Sequence, residues 1–537
     1  LVPLKKLKRI SLYLSISQVS KVINLGKMSS SDIVSVAREE SRESEPCMDR
    51  FLSYIDNVNM DRKQYQYDGV YWCNQNETRD APMFGVRGGF IADEMGLGKT
   101  IMMIGTFITN PICHTLIVVP VILLTQWYGE LLRTAGHKAL IYHGARKSKT
   151  NHAQLFAAPI VLTTYGTVHS SPELQKIVWG RIVFDEAHHL RNKNTQLYRS
   201  CKALQTNIRW LVSGTPIQNR KQDFYALCAL LGLPTTFVMD TAQRSLLITN
   251  FILKRTKTQV GIKIPDLITT HNMVPWSSRG EEHLSDEIHS MLPWAGVHMP
   301  ANEYGSYVDT IMDKSMGSVL PLYMRARQSC ILPSMLQQDT NDPFYREAFL
   351  SSSKLDFVLK TIIERKDNGN GKLVFCHFHE EMDYILTKLG ELGLKCATFD
   401  GRTSASLKKE ILTSQFDVIL LQIQTGCEGL NLQQFYSEIY FISPHWNPSI
   451  EDQAVARCHR IGQTKPVHVF HFQMYTEAAP HSTEDEPIGM TETTAHTIPR
   501  AIDNPRTIDN PRTIDNYITL IQSNKRMLIQ TLTNGAL

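Results

Sequence analysis

From Gly89 to about Leu253, short apolar runs alternate with amphipathic segments. Phe90-Ile91-Ala92, Leu116-Ile117-Val118-Val119, Ile160-Val161-Leu162, Ile182-Val183-Phe184 and Trp210-Leu211-Val212 each end in polar or small residues. Continuous runs of this kind predict strands buried on both faces, hence a parallel sheet with helices on each side. The pattern restarts at Leu373-Val374-Phe375 and continues through Ala397-Thr398-Phe399, Val418-Ile419-Leu420-Leu421, Ile439-Tyr440-Phe441-Ile442 and Val467-His468-Val469-Phe470, which makes a second α/β lobe. Between the two, Val274 to Leu350 is rich in Met and Pro without a clear period and reads as a helical insertion or linker. Near the end, Ile502-Asp503-Asn504-Pro505-Arg506-Thr507 recurs at Ile508 to Thr513, and Ile514-Asp515-Asn516 begins a third copy. A proline in each unit forbids a continuous helix, so a flexible insert is expected. Helical spacing returns from Tyr517 to Leu532.

Composition changes this picture little. A chain of 537 residues is too long for one ordinary core, and a 42% hydrophobic fraction suffices for several. Net charge is +4, from 56 basic and 52 acidic side chains. That balance neither demands nor excludes nucleic acid, because a basic groove can hide in a neutral total. The ten cysteines form no CxxC pair, which argues against zinc fingers, and most sit in apolar stretches like reduced core thiols of an intracellular protein. No apolar run reaches the roughly 20 residues of a membrane span. The chain begins with Leu1, and two readings stay open: Leu1–Lys27 as an upstream translation artefact before Met28, or a fragment. The cluster Lys5-Lys6-Leu7-Lys8-Arg9 reads as a solvated charge run, with a nuclear-import signal as the alternative.

The strongest chemical signal is Ala92-Asp93-Glu94-Met95-Gly96-Leu97-Gly98-Lys99-Thr100, after a strand and before a helical run. Glycines there let backbone N–H groups approach phosphates, and the helix N-terminus favours an anion. Lys99 would neutralise phosphate charge and Thr100 would hold Mg²⁺. Asp93 occupies the first glycine position of the general GxxxxGK[ST] pattern. At the end of another strand, Asp185-Glu186-Ala187-His188 supplies a carboxylate pair, Asp185 to position Mg²⁺ and Glu186 to polarise the attacking water of Mg-ATP hydrolysis. The second lobe offers Gln453, Arg457 and Arg460, placed by their spacing on one face of a predicted helix, where the arginines suit charge stabilisation across the γ-phosphate. His188 and His189 have no partners at zinc-ligand spacing, so Mg²⁺ is the only metal proposed.

At this point the chain resembles the Swi/Snf-type ATPases of helicase superfamily two. The resemblance is carried by DEMGLGKT at Asp93 to Thr100, DEAHHLRN at Asp185 to Asn192, SGTPIQN at Ser213 to Asn219, GLNL at Gly429 to Leu432, HWNP at His445 to Pro448 and HRIGQ at His459 to Gln463, and it runs from about Arg62 to Leu532. It implies two RecA-like lobes, each a parallel sheet covered by helices, with a helical insertion between them. It also implies an adenine-reading role for Gln66, DNA-backbone contacts from Val118-Val119-Pro120 with Gln126-Trp127 and from Thr163-Thr164-Tyr165, and a basic strip at Ile252 to Lys257. The wording of DEAHHLRN, WNPSIEDQA and the Arg327-Gln328-Ser329-Cys330 segment is most similar to the post-replication-repair group that includes the helicase-like transcription factor. The ubiquitin-ligase RING of that group is not carried over, since no cysteine–histidine array is present. Compact relatives also occur in large DNA viruses.

The expected division is an N-terminal extension (1–60, partly disordered), an ATP-binding lobe (61–260), a linker (261–350), a second lobe (351–475), a flexible insertion (476–512) and a C-terminal brace helix (513–537). The resemblance implies an ATP- and Mg²⁺-using translocase on double-stranded DNA, with nucleosomes or replication and transcription proteins as further partners, no membrane, and a nuclear or viral setting. Two other readings stay open: an RNA or single-strand helicase of the same superfamily, and an inactive DNA-binding scaffold. Glu428 departs from the smaller residues usual before Gly429 and is expected to retune coupling.

Overall fold

The computed structural model describes residues 47–136, 138–214, 221–290, 292, 316–336, 348–426, 430–475 and 513–534. The basic cluster, Thr215 to Asn219 of the SGTPIQN string, Cys427-Glu428-Gly429 and nearly all of the repeat insertion lie outside them.

Two all-parallel sheets form. The first contains β1 (Arg87–Ile91), β2 (Thr115–Val119), β3 (Leu140–Tyr142), β4 (Ile160–Thr164), β5 (Val178–Asp185), β6 (Gln205–Val212) and β7 (Ile252–Leu253), in the order β3-β4-β2-β5-β6-β1-β7. The second contains β8 (Leu267–Pro275), β9 (Gly371–Cys376), β10 (Cys396–Phe399), β11 (Val418–Gln422), β12 (Tyr436–Phe441) and β13 (Val467–Tyr475), in the order β10-β11-β9-β12-β13-β8. The continuous apolar runs have their cause here. In the first sheet Phe90, Leu116, Val118, Ile182 and Leu211 join the core on one face, while Ile91, Ile117, Val119, Val183 and Val212 join the core on the other. Both faces are covered, so neither strand face can be polar.

The helices that position the site and brace the lobes are α1 (Gln64–Thr78), α2 (Lys99–Thr109), α3 (Leu124–Ala135), α4 (Arg279–Ser290), α5 (Met316–Ile331), α6 (Ser353–Glu364), α7 (His379–Glu391), α8 (Pro448–Val455) and α9 (Ile514–Asn534). Part of the N-terminal extension is ordered: residues 47–57 are helical, and Met48 and Phe51 are buried in the core beside α1 and α2. The region read as linker also contributes more than helices. Its strand β8 pairs with β13 along its whole length and forms the edge of the second sheet. Most of β8 is solvent-exposed, and so its sequence lacks the apolar run that marks the other strands. Among the described residues no helix is long and apolar enough to cross a membrane.

The C-terminal helix α9 is built into the second lobe. Asp515 is fully buried and pairs with the equally buried Lys354 of α6. It also accepts from Ser443 Oγ at 2.6 Å and from the Met474 N–H at 3.0 Å. Just before it, the Ile514 N–H donates to His289 Nε2 of α4 at 2.9 Å. Burial opposes the Asp515 charge, but Lys354, Ser443 and the Met474 N–H outweigh it and hold the carboxyl below its usual range. Leaving Lys354 buried without its partner costs about 3–5 kcal/mol. Asp515→Asn is therefore expected to destabilise the second lobe by about that much in urea unfolding followed by circular dichroism. Because the folded pKa is depressed, this stabilisation is present above the unfolded carboxyl value, about 4, and is lost as pH falls through the folded value. The difference between wild type and Asp515→Asn should accordingly shrink below about pH 4.

Candidate active site

Strands β5, β6 and β1 lie side by side, and the register aligns Asp185 with Val212 and Val212 with Ile91. Their carboxyl ends are therefore level, with β1 and β5 about 10 Å apart across β6. Such crevices at the carboxyl ends of parallel strands are where α/β sheets bind ligands.

Beyond β1 the chain turns through Asp93 to Gly98 and enters α2 at Lys99. Gly96 and Gly98 have φ of 91° and 79°, a left-handed backbone that side chains disfavour. A Cβ on Gly98 would also lie 2.5 Å from Gln66 Nε2. Gln66 is buried; it donates to Leu97 O at 3.3 Å, and its Oε1 makes no hydrogen bond within the described residues. A buried orphan acceptor beside an open glycine cradle fits the amino edge of a nucleotide base. Lys99 Nζ donates to Asp93 O at 3.0 Å, and Thr100 is half-buried in the first turn of α2. Burial lowers the Lys99 pKa; Glu186, Asp185 and Asp93 oppose that fall, while Arg457 adds to it.

Asp93 and Glu94, grouped by sequence with the cofactor loop, direct their carboxylates away from it. Asp93 is fully buried and takes two donors from Arg255, Nε at 3.1 Å and Nη2 at 2.5 Å. Glu94 meets Lys257 Nζ at 3.0 Å and the Lys257 N–H at 2.8 Å. Met95 packs near Gly214, where an added Cβ would lie 2.9 Å from Met95 Cγ and 3.3 Å from Lys99 Nζ.

Asp185 ends β5, and its Oδ2 accepts from the Trp127 indole at 2.6 Å. Glu186 follows with φ 50°, an uncommon backbone for a residue other than glycine. Burial and the neighbouring Glu186 charge raise the Asp185 pKa, with Trp127 and Lys99 opposing. For Glu186 the sign reverses: burial would raise it, but His188, Lys99 and Arg457 together hold it down. His188 Nδ1 lies 3.3 Å from Glu186 Oε2 and 3.1 Å from Ser213 Oγ.

Arg457 and Arg460 do not lie on a helix with Gln453, as their spacing suggested. Helix α8 ends at Val455, and the chain tightens into turns in which the Cys458 and His459 N–H groups both bond Val455 O, at 3.1 and 2.8 Å. The Arg457 carbonyl is taken by the Leu432 N–H at 3.3 Å, and Cys458 is buried in the second core. The chain is therefore in turns, not helix, where the arginines sit, yet both still approach the first lobe. Arg457 acts electrostatically on Lys99 and Glu186, and a Cβ on Gly96 would lie 3.6 Å from Arg460 Cβ. The Arg460 guanidinium donates to Asn431. Gln453 is buried, and its carbonyl accepts from Arg457 Nε at 3.2 Å.

Some residues expected to touch DNA are interior. Trp127, Thr163, Thr164 and Tyr165 are all buried, and the Tyr165 hydroxyl donates to Asp185 O at 2.6 Å. Exposed beside them are Val121, Ile122, Thr125 and Gln126. For Trp127 the resemblance implied a DNA-backbone contact, and its spacing from Leu124 and Leu131, that of an ordinary core face, gave no sign of the bond to Asp185. Arg255 and Lys257 had a basic strip to mark them, but not their partners.

A family model described as the SNF2-related domain matches residues 65–243, and one described as the helicase conserved C-terminal domain matches 353–462; together they cover more than half of the chain. The chain belongs to the SNF2-type ATPase family. This family member is 28% identical over 447 residues to a probable global transactivator of Orgyia pseudotsugata multicapsid polyhedrosis virus, across 76% of this chain and 85% of that one. It is 26% identical to the ATP-dependent DNA helicase DDM1 of Arabidopsis thaliana, across 76% of this chain but 58% of the relative. An uncharacterized ATP-dependent helicase of Mycoplasma pneumoniae is 28% identical, and this chain spans only 39% of it. A solved Sulfolobus solfataricus SWI2/SNF2 ATPase core in complex with double-stranded DNA is 24% identical, covering 77% of this chain and 88% of that one at a TM-score of 0.36. None of these matches singles out the post-replication-repair branch.

The SNF2-type chain needs Gly214 bare. Gly214→Ala is expected to push Lys99 and Met95 aside and to lower ATP hydrolysis about 100-fold, as small displacements of catalytic groups do. Steady-state hydrolysis alongside thermal melting checks this, with the melting curve expected to stay nearly unchanged.

Proposed function

We propose that this SNF2-type ATPase couples ATP hydrolysis to translocation along double-stranded DNA. The observation that carries the reading is the approach of Arg457 and Arg460, from the second lobe, to Lys99, Glu186 and Gly96 of the first. A site completed by both lobes links the state of the nucleotide to the distance between them, which is what a stepping motor requires.

In this reading the backbone of Glu94 to Gly98 and the Lys99 ammonium cradle the phosphates, and Gln66 Oε1 accepts from the adenine. The Thr100 hydroxyl and the Asp185 carboxylate are hard oxygen donors, and the proton-retaining environment of Asp185 is one that a cation would relieve, so these residues fit Mg²⁺. Bound there, Mg²⁺ would supply charge neutralisation at the phosphates. Glu186, held ionised by His188, Lys99 and Arg457 against its burial, orients the attacking water and accepts its proton. Arg457 and Arg460 neutralise charge on the transferring phosphoryl group, with Gln453 supporting Arg457 through its carbonyl. The DNA reading is supported by the Arabidopsis relative named as an ATP-dependent DNA helicase and by the exposed segment at Val121, Ile122 and Gln126. Contacts to a phosphate backbone make binding salt-dependent and weakly sequence-specific. Nucleosomes and replication or transcription proteins are candidate partners on the same grounds.

The test is ATP hydrolysis without nucleic acid and with duplex DNA, single-stranded DNA or RNA. Duplex DNA is expected to stimulate it most, and Lys99→Ala to abolish it. Arg457→Ala should lower kcat by about 10³ or more while leaving nucleotide affinity within a few fold. Stimulation by RNA or single strands alone would reject the duplex reading.

A further inference from the structure

We propose that Trp127 is a positioning residue whose indole N–H fixes the Asp185 carboxylate in the orientation that receives the divalent cation. This inference rests on the reading of Asp185 as a cation ligand.

The geometry is specific. Trp127 is 1% exposed and Asp185 7%, and their hydrogen bond of 2.6 Å runs from Nε1 to Oδ2. The other carboxylate oxygen, Oδ1, accepts from the Glu186 N–H at 3.0 Å. The Asp185 carbonyl is held separately by the Tyr165 hydroxyl at 2.6 Å. A carboxylate has about four acceptor positions across its two oxygens. One fixed donor on each oxygen locks the side-chain torsion and leaves the remaining positions for a ligand. The donor itself cannot drift: α3 is anchored through Leu124 and Leu131 in the same core as Val119, Leu162 and Val183. A tryptophan buried only for packing needs an acceptor for its N–H, but a backbone carbonyl would serve, as Leu174 O does for Trp179. Here the acceptor is instead the carboxylate at the end of the central strand, so the indole's one polar atom is spent on orienting Asp185. Residues that orient a metal ligand in this way typically change metal affinity or activity by about 10- to 100-fold when removed.

The test measures Mn²⁺ binding in the presence of ADP by electron paramagnetic resonance. It compares the wild-type chain, Trp127→Phe and a chain carrying 3-benzothienylalanine at position 127, which keeps the bicyclic shape but has sulfur in place of N–H. Half-saturating Mn²⁺ is expected to rise about 10- to 100-fold in both altered chains. The benzothienyl chain should melt like wild type and regain hydrolysis at high Mg²⁺. Weakened Mn²⁺ binding in Trp127→Phe alone would assign the effect to ring packing and overturn the proposal, as would unchanged binding in both. Asp185→Asn separates the two levels of failure. If it still binds Mn²⁺ like wild type, the cation-site reading itself falls, and the role of Trp127 falls with it.

Discussion

A carboxylate as deeply buried as that of Asp93 is stable only with a cation in hydrogen-bonding reach, and Arg255 meets that demand with two donors. The pairing does more than satisfy a charge. Arg255 also donates to Tyr65 O, and its own carbonyl accepts from the Glu94 N–H at 2.9 Å. The Ala92 N–H bonds Leu253 O at 2.7 Å, so β7 and the residues after it run alongside the start of the phosphate loop. One arginine thereby binds three segments far apart in sequence: the start of α1, the loop after β1, and the strip after β7. The loop is clamped where it leaves the strand and left as bare backbone at Gly96 and Gly98. A glycine in place of Asp93 would keep the turn but lose the clamp.

The same strip reaches the other lobe two residues later. Lys257 Nζ lies 3.0 Å from Glu94 Oε1 and 3.2 Å from His459 O, so one ammonium joins the phosphate loop to the segment carrying Arg457 and Arg460. That segment is supported from behind by α9. Gln522 donates to Glu451 Oε1 at 2.8 Å, Lys525 to Trp446 O at 2.7 Å, and Arg526 pairs with Asp452 at 3.0 Å. The Arg526 pair is exposed on both sides and contributes little by itself. The buried bonds of Gln522 and Lys525 carry the orientation. Cleft and C-terminal helix thus form one connected structure across α8.

How much of the fold was legible in the sequence depends on burial on two faces. Strands such as β2 and β4 are buried at every position, and such strands must be written as apolar runs. Strand β3 has three residues and β7 two, too short for any periodicity, and β8 is an exposed edge. The turn from β1 into α2 was legible because its glycines, Gly96 and Gly98, stand in one short segment between an apolar run and a helical one. The end of α8 was not, because the segment after it is held by tertiary contacts, the Leu432 N–H on the Arg457 carbonyl and the burial of Cys458, which local spacing does not report. Trp127 illustrates the same limit: a residue's spacing reports that it is buried, never which group its one polar atom meets.

The adjacent carboxylates at the end of β5 show why such pairings matter. Two neighbouring acids in equal surroundings would share one fate, since each charge raises the other's pKa. Here the backbone separates them. The left-handed turn at Glu186 sends its side chain toward His188, within 3.3 Å, while Asp185 turns to the neutral indole of Trp127. Glu186 is also exposed to the fields of Lys99 and Arg457, and the sum drives it down as burial and Glu186 drive Asp185 up. Environments that push two acids apart are the physical basis for giving them different tasks. Since Arg457 belongs to the second lobe, part of that separation depends on the lobes being together. The electrostatic state of Glu186 is therefore tied to the contact between the lobes: withdrawing Arg457 would remove one of the charges that hold its carboxyl down, and its proton affinity would rise toward that of Asp185.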